Sequence, residues 1–222
     1  MPETKSLKTY RKECQESLDN EYLRSALDKF AVAYRVGRDK AFSEIDVDQL
    51  VSEVAEMKDE TLKSLDRYLE QFTRKAEEAG VVVHYAKDAE EANKIINEIG
   101  KHAGCRKVIK TKSMTAEETH LSHAMVAEGF EVTETDLGEW IIQLRHEPPS
   151  HMVMPAIHLS RYHVRDLLSE VTGQQEDEEI EKLVKVARHQ MRRKFVEGEL
   201  GITGANFGVA ETGSIGIVTN EG

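Results

Sequence analysis

Apolar residues recur every three to four positions through the first third of the chain, the spacing of one face of an α-helix. Leu23, Leu27, Ala31 and Tyr34 form one such stripe. After Asp46, which suits an N-cap, Leu50, Val54, Met57, Leu62, Leu65, Leu69, Phe72 and Ala76 carry the period on to Gly80. Residues 1–79 are therefore expected to be an all-helical N-terminal extension, its stripes facing a core or a partner and its charged residues on a solvated face.

From Val81 the pattern becomes strand and helix in alternation, the signature of a parallel α/β sheet. The expected strands are Val81–Val83, Lys107–Ile109, Phe130–Thr135 and His151–Ala156. A helix capped by Asp88 should run from Ala89 to near Ala103, where Gly104 ends it. Thr115-Ala116-Glu117-Glu118 reads as a capping box opening a helix that stops at Gly129. Trp140–Leu144 fits helix and strand equally, and Pro148-Pro149 closes it. Two helices should follow, Arg161–Val171 and Glu176–Glu197, the second with Leu183, Ala187, Met191 and Phe195 inward. Residues 198–222 are rich in glycine and read as strands Phe207–Ala210 and Ile215–Thr219 around the turn Glu211-Thr212-Gly213-Ser214. The expected fold is α/β, a parallel-type sheet flanked by helices, with the α/β domain spanning 80–222.

Charge and cysteine usage narrow the function. The 222 residues include 41 acidic and 30 basic side chains, a net charge of −11 that opposes binding to nucleic acid or anionic membrane. No apolar run approaches the roughly 20 residues of a membrane span, and Met-Pro-Glu-Thr-Lys lacks a signal core, so a cytoplasmic protein without a transmembrane segment is expected. Cys14 and Cys105 belong to no Cys-x-x-Cys unit and cannot build a zinc ribbon or a four-thiolate cluster alone. No Gly-x-Gly-x-x-Gly follows a strand, so no nicotinamide or flavin fingerprint is present.

Ligands of open parallel sheets bind beyond the carboxyl ends of the strands. That rule gathers Tyr85, Lys87, Lys110 to Ser113, Asp136, Glu139, His158, and Glu211 with Thr212 on one rim. Residues 151 and 158 would be roughly 23 Å apart if joined by extended chain, so His158 is favoured over His151. Ser113 to Thr115 open a helix whose free N–H groups, with the charge of Lys110 and Lys112, suit a small anion. Glu211 sits where Thr212, Gly213 and Ser214 leave backbone open to a ligand. Bases for proton transfer would come from Glu211, His158 and Glu139. His120 and His123 lie one turn apart without a carboxylate at ligand spacing, and no metal site is expected.

Three stretches then become recognisable together: Lys110-Thr-Lys-Ser-Met114 with Glu117-Glu118; Glu134-Thr-Asp-Leu-Gly-Glu139 through Ile-Ile-Gln-Leu144 to Pro149-Ser-His151 and Pro155-Ala-Ile-His158; and Gly201-Ile-Thr-Gly-Ala-Asn206 to Ala210-Glu-Thr-Gly213 with Thr219-Asn-Glu-Gly222. The chain resembles the lactate-utilisation (LUD) domain family, and within it the B-type iron–sulfur subunits of a bacterial L-lactate oxidising system. Ser122 departs from the asparagine usual at that position. The resemblance implies a fold similar to the NagB/RpiA/CoA-transferase-like group of sugar-phosphate isomerases and coenzyme A transferases. It also implies a small organic acid, lactate or pyruvate, held at the rim by Lys110, Lys112, Ser113, Asp136, Asn206, Thr212, Gly213 and Ser214. The resemblance implies sibling lactate-utilisation subunits as partners, and the apolar edge of Ile215–Thr219 is expected to recruit a second copy of the chain, giving a homo-oligomer, or to be covered by the N-terminal helices. No cofactor is expected in this chain; the family's 4Fe-4S clusters belong to a ferredoxin-like module after the Asn-Glu-Gly turn, so the isolated chain should be colourless and inactive on lactate. The alternatives are a non-catalytic docking domain for partner subunits, or a domain for a coenzyme A or sugar-phosphate ligand.

Overall fold

The computed structural model describes residues 6–218. The first 78 residues hold four helices, α1 (Leu7–Asp19), α2 (Glu21–Ala41), α3 (Val47–Lys63) and α4 (Leu65–Glu78). Ser6, Asn20 and Asp46 cap the first three, each side chain accepting an amide N–H three residues on. None of these three helices buries a residue. Their apolar stripes stay open to solvent, with Leu50, Val51, Met57 and Leu62 all exposed.

The remainder is α/β. Helix α5 (Ala89–His102) is capped by Asp88, and β1 (Lys107–Lys110) follows. Next come α6 (Met114–Glu118), α7 (Leu121–Ala127), β2 (Glu131–Glu134), α8 (Leu137–Arg145), α9 (Arg161–Thr172) and α10 (Ile180–Glu197). Strand β3 (Leu200–Ile202) joins β1 on the side away from β2, giving a parallel sheet ordered β2-β1-β3. Two cores follow from the two-residue period of the strands. Val108 and Val132, register partners, pack with Ala116, Leu121, Met125 and Phe130. Ile109 points the other way and touches Gly198, while Trp140, Leu168, Leu183, Ala187 and Met191 form a second core among α8, α9 and α10.

Several elements differ from expectation. Val81–Val83 is not a strand: the Val81 N–H closes α4 on the Ala76 carbonyl at 3.0 Å, and Tyr85 Oη meets Thr73 Oγ1 at 2.5 Å, so the segment doubles back along α4. His151–Ala156 is a loop, because His151 Nδ1 accepts the N–H groups of Val153 and Met154, and Pro155 has none to give a ladder. The helix expected up to Gly129 breaks at His120, whose φ of 54° is left-handed, and its cap is Ser113 rather than Thr115. Trp140–Leu144 is helical, led by the Asp136 cap. Phe195 is half exposed, not inward.

The glycine-rich stretch forms the expected hairpin, β4 (Phe207–Val209) antiparallel to β5 (Ser214–Gly216); Thr219 lies outside the described residues. The hairpin packs on α4. Gly208 abuts the Phe72 ring, and Gly213 abuts the backbone of Lys75 and Ala76. A Cβ at Gly213 would fall 2.5 Å from the Lys75 carbonyl carbon, at a φ of +72° that side chains disfavour. Gly213→Ala should therefore destabilise the fold by roughly 2–4 kcal/mol in urea unfolding, whereas Gly201→Ala, with open space around it, should not.

Candidate functional site

The alternation that buries Val108 continues past the end of β1. Lys110 and Lys112 occupy the same face and are 0 % and 2 % exposed. Lys110 is the register partner of Glu134, the last residue of β2, so the two side chains emerge together at the carboxyl rim. Its Nζ lies 3.0 Å from Glu134 and 3.1 Å from Glu117 of α6. Ser122 of α7 donates its hydroxyl to the second Glu134 oxygen at 3.0 Å, so serine makes a side-chain bond at the position where asparagine was expected. Gln143 of α8 accepts the Glu134 N–H and donates to the Val132 carbonyl, locking β2 to α8.

Lys112 forms the second half of the cluster. It donates to the Met152 carbonyl of the loop after α8 and sits 3.7 Å from Glu139. Asp136 caps α8 by accepting the Glu139 N–H at 3.0 Å, which orients Glu139 towards the rim. Ser113, buried, spends its hydroxyl on the Ala116 N–H. The helix it opens is a single turn.

Two lysines here face three carboxylates. Burial alone would push the Lys110 ammonium down, yet Glu134 and Glu117 more than offset it and its pKa is raised. Burial pushes the Glu134 carboxyl up against the opposing pull of Lys110 and Ser122. Burial and the charge of Glu117 push Glu139 up too, against Lys112. Both directions fit a cluster one negative charge in excess, which retains a proton longer than free carboxylates do.

His158 belongs to the loop that Lys112 anchors. Its Nε2 lies 3.0 Å from Glu147 Oε2 and its Nδ1 2.6 Å from Ser150 Oγ. Glu211, by contrast, is exposed at the tip of the hairpin on α4, with Thr212 and Ser214 bonded to each other at 3.0 Å and Gly213 against α4. Asn206 accepts the Val218 N–H. The structure thus gathers Lys110, Lys112, Ser113, Asp136 and Glu139, sets His158 on the adjoining loop, and places Glu211, Thr212, Gly213 and Ser214 together on the hairpin. No hydrogen bond or ion pair joins the two groups among the described residues. Glu134 and Glu117, central to the cluster, stood in the recognised motifs but were not among the expected site residues; the β1–β2 register reveals the first and the packing of α6 the second.

Open α/β sheets bind ligands beyond the carboxyl ends of their strands, and here that rim carries a buried lysine–carboxylate cluster. The LUD domain model matches residues 69–222, and the chain belongs to that family. It is 40% identical over 218 residues to Lactate utilization protein B of Oceanobacillus iheyensis and 39% identical over 215 to Lactate utilization protein B of Bacillus subtilis. Each match takes in 96% of this chain and 45% of the relative, so the chain spans about half the length of the curated relatives it matches. No solved structure matches.

Two outcomes test the cluster. Lys110→Met strands the buried Glu134 charge and should cost about 3–5 kcal/mol in urea unfolding, much of it recovered in the double variant with Glu134→Leu. Glu134 and Glu139 hold their protons to higher pH in the folded chain than in the unfolded one. Stability should therefore fall as pH rises from the ordinary carboxylate value of 4.5 through the raised folded values. Glu139→Gln should flatten that fall, raising the melting temperature at neutral pH while changing little near about pH 4, where the carboxyl is already neutral.

Proposed function

We propose that this chain is the ligand-binding LUD part of a lactate-utilisation subunit that takes part in oxidising L-lactate to pyruvate, with the substrate bound at the Lys112–Glu139 end of the rim. The observation that carries this reading is Lys112, a buried ammonium whose partners are a neutral carbonyl, Met152, and a carboxylate 3.7 Å away, outside direct hydrogen-bond distance. A substrate carboxylate replacing the Met152 carbonyl would exchange a neutral acceptor for a charged one. The names of the relatives supply the substrate class. Glu139, its pKa raised by burial, is suited to accept the proton of the 2-hydroxyl, and Lys112 holds the acid end. Substrate entry requires the Met152 loop to lift.

Oxidation also needs an electron acceptor. A four-iron cluster needs four thiolates or their equivalents, and this chain's cysteines are Cys14 and Cys105. No three His, Cys, Asp or Glu side chains converge to hold a metal among the described residues. The donor set does not fit such a cluster, so the chemistry assigned to this chain stops at binding and proton transfer, and electron transfer falls to sibling subunits or further modules.

A second reading, a docking domain for partner subunits, is favoured by the exposed apolar stripes of α1, α2 and α3. Calorimetry separates the two. Lys112→Met should weaken L-lactate and pyruvate alike by about tenfold or more, as expected for a lost charge-assisted bond. Glu139→Gln should weaken lactate more than pyruvate, which lacks the hydroxyl. Wild-type chain that binds neither acid would favour docking.

A further inference from the structure

The loop between α8 and α9 carries a hydrogen-bond relay that lactate binding does not use. Arg145 grips Glu147 through Nε at 2.9 Å and Nη2 at 2.5 Å, and those hydrogen bonds, with the one from His158, hold that carboxyl below the usual range. Glu147 therefore stays an acceptor, and the bond at 3.0 Å from its Oε2 places the imidazole proton on Nε2 of His158. In the neutral imidazole this leaves the Nδ1 lone pair facing Ser150 Oγ, 2.6 Å away, so the serine hydroxyl can donate to it. Ser150 itself is exposed, while the His158 side chain is 19 % exposed, so the base is sheltered and the oxygen it activates is reachable. Pro148 and Pro149 stiffen the approach, and the Ser150 N–H is tied to the Pro155 carbonyl at 3.0 Å, holding the serine against the ring.

We propose that Ser150 is a nucleophile, with His158 as its general base and Glu147 as the residue that positions His158, and that it accepts the acyl group of an activated ester or thioester. A carboxylate–imidazole–hydroxyl series in this order recurs on unrelated folds as an activated serine nucleophile. In the first step Ser150 Oγ bonds to the acyl carbon as its proton passes to His158 Nδ1. The bond to the leaving oxygen or sulfur breaks, and His158 returns the proton to that atom. Water then attacks the acyl carbon, His158 taking its proton; the bond from that carbon to Ser150 Oγ breaks, and His158 returns the proton to Oγ, releasing the acid and free serine. No electron acceptor is involved.

The test treats the full chain with a fluorophosphonate probe, which forms a stable adduct on activated serines, and follows intact mass with peptide mapping. One adduct per chain at Ser150 is expected, absent from Ser150→Ala. The rate should fall about 10²-fold or more in His158→Ala. Glu147→Gln should slow labelling and alter the pH profile, which a merely structural contact would not do; circular dichroism melting separates either loss from misfolding. p-Nitrophenyl acetate should give an acetyl adduct at the same serine. No adduct at Ser150 of the wild-type chain, labelling of another serine instead, or a rate indifferent to both His158→Ala and Glu147→Gln would overturn the proposal.

Discussion

The carboxyl rim depends on one buried contact, the Lys110–Glu134 pair between register partners of adjacent parallel strands. Burying either charge alone would cost several kcal/mol. Together, and with Glu117 and Ser122 completing their hydrogen bonds, they fix the register of β1 on β2 and the approach of α6 and α7. A slip of one residue would leave Lys110 opposite Thr133 or Thr135 instead of Glu134, so the pair acts as a register pin as well as an ion pair. Lys112 and Glu139 inherit their positions from it, the first two residues beyond Lys110 on the same face, the second five residues beyond Glu134 on a helix started by Asp136.

How much of this could be read from the chain follows from which signals are local. Helices with a cap and a 3.6-residue period, α5 under Asp88 and the core face of α10, were legible because both signals are contiguous in sequence. The α/β class with its helical N-terminal region was legible for the same reason. Strands were less so. Three adjacent valines at 81–83 look like a buried strand, but a strand exists only beside another, and Val81 is consumed in ending α4. Leu200–Ile202, a strand indeed, is three residues long and marked only by its pairing with Val108–Lys110. The site shows the same split: Lys110 at the end of β1, and Lys112, Ser113, Asp136 and Glu139 beyond strand ends, were found by that rule, while Glu134 needed the register, Glu117 the packing of α6 and Ser150 the fold of a loop.

The N-terminal helices stand apart energetically. They carry tyrosines, leucines and valines at helical spacing yet bury none in α1 to α3, and they reach the loop after α8 through Tyr22 Oη on the Leu159 carbonyl and Phe30 edge-on to His151, 5.9 Å between rings. Those two contacts touch the same loop that closes Lys112 and carries His158. Under the proposed function, a partner docked on the helical stripes would be connected through these contacts to the loop over Lys112, which would let docking and ligand entry influence each other.

Under the proposed function, Lys112 exchanges the Met152 carbonyl for a substrate carboxylate. A crystal structure of this chain soaked with L-lactate tests it most directly. The account predicts the lactate carboxylate within hydrogen-bond distance of Lys112 Nζ, roughly 2.7–2.9 Å, the 2-hydroxyl turned to Glu139, and the Met152 carbonyl moved away. Lactate bound at the Glu211 hairpin instead, with Lys112 still on Met152, would contradict it.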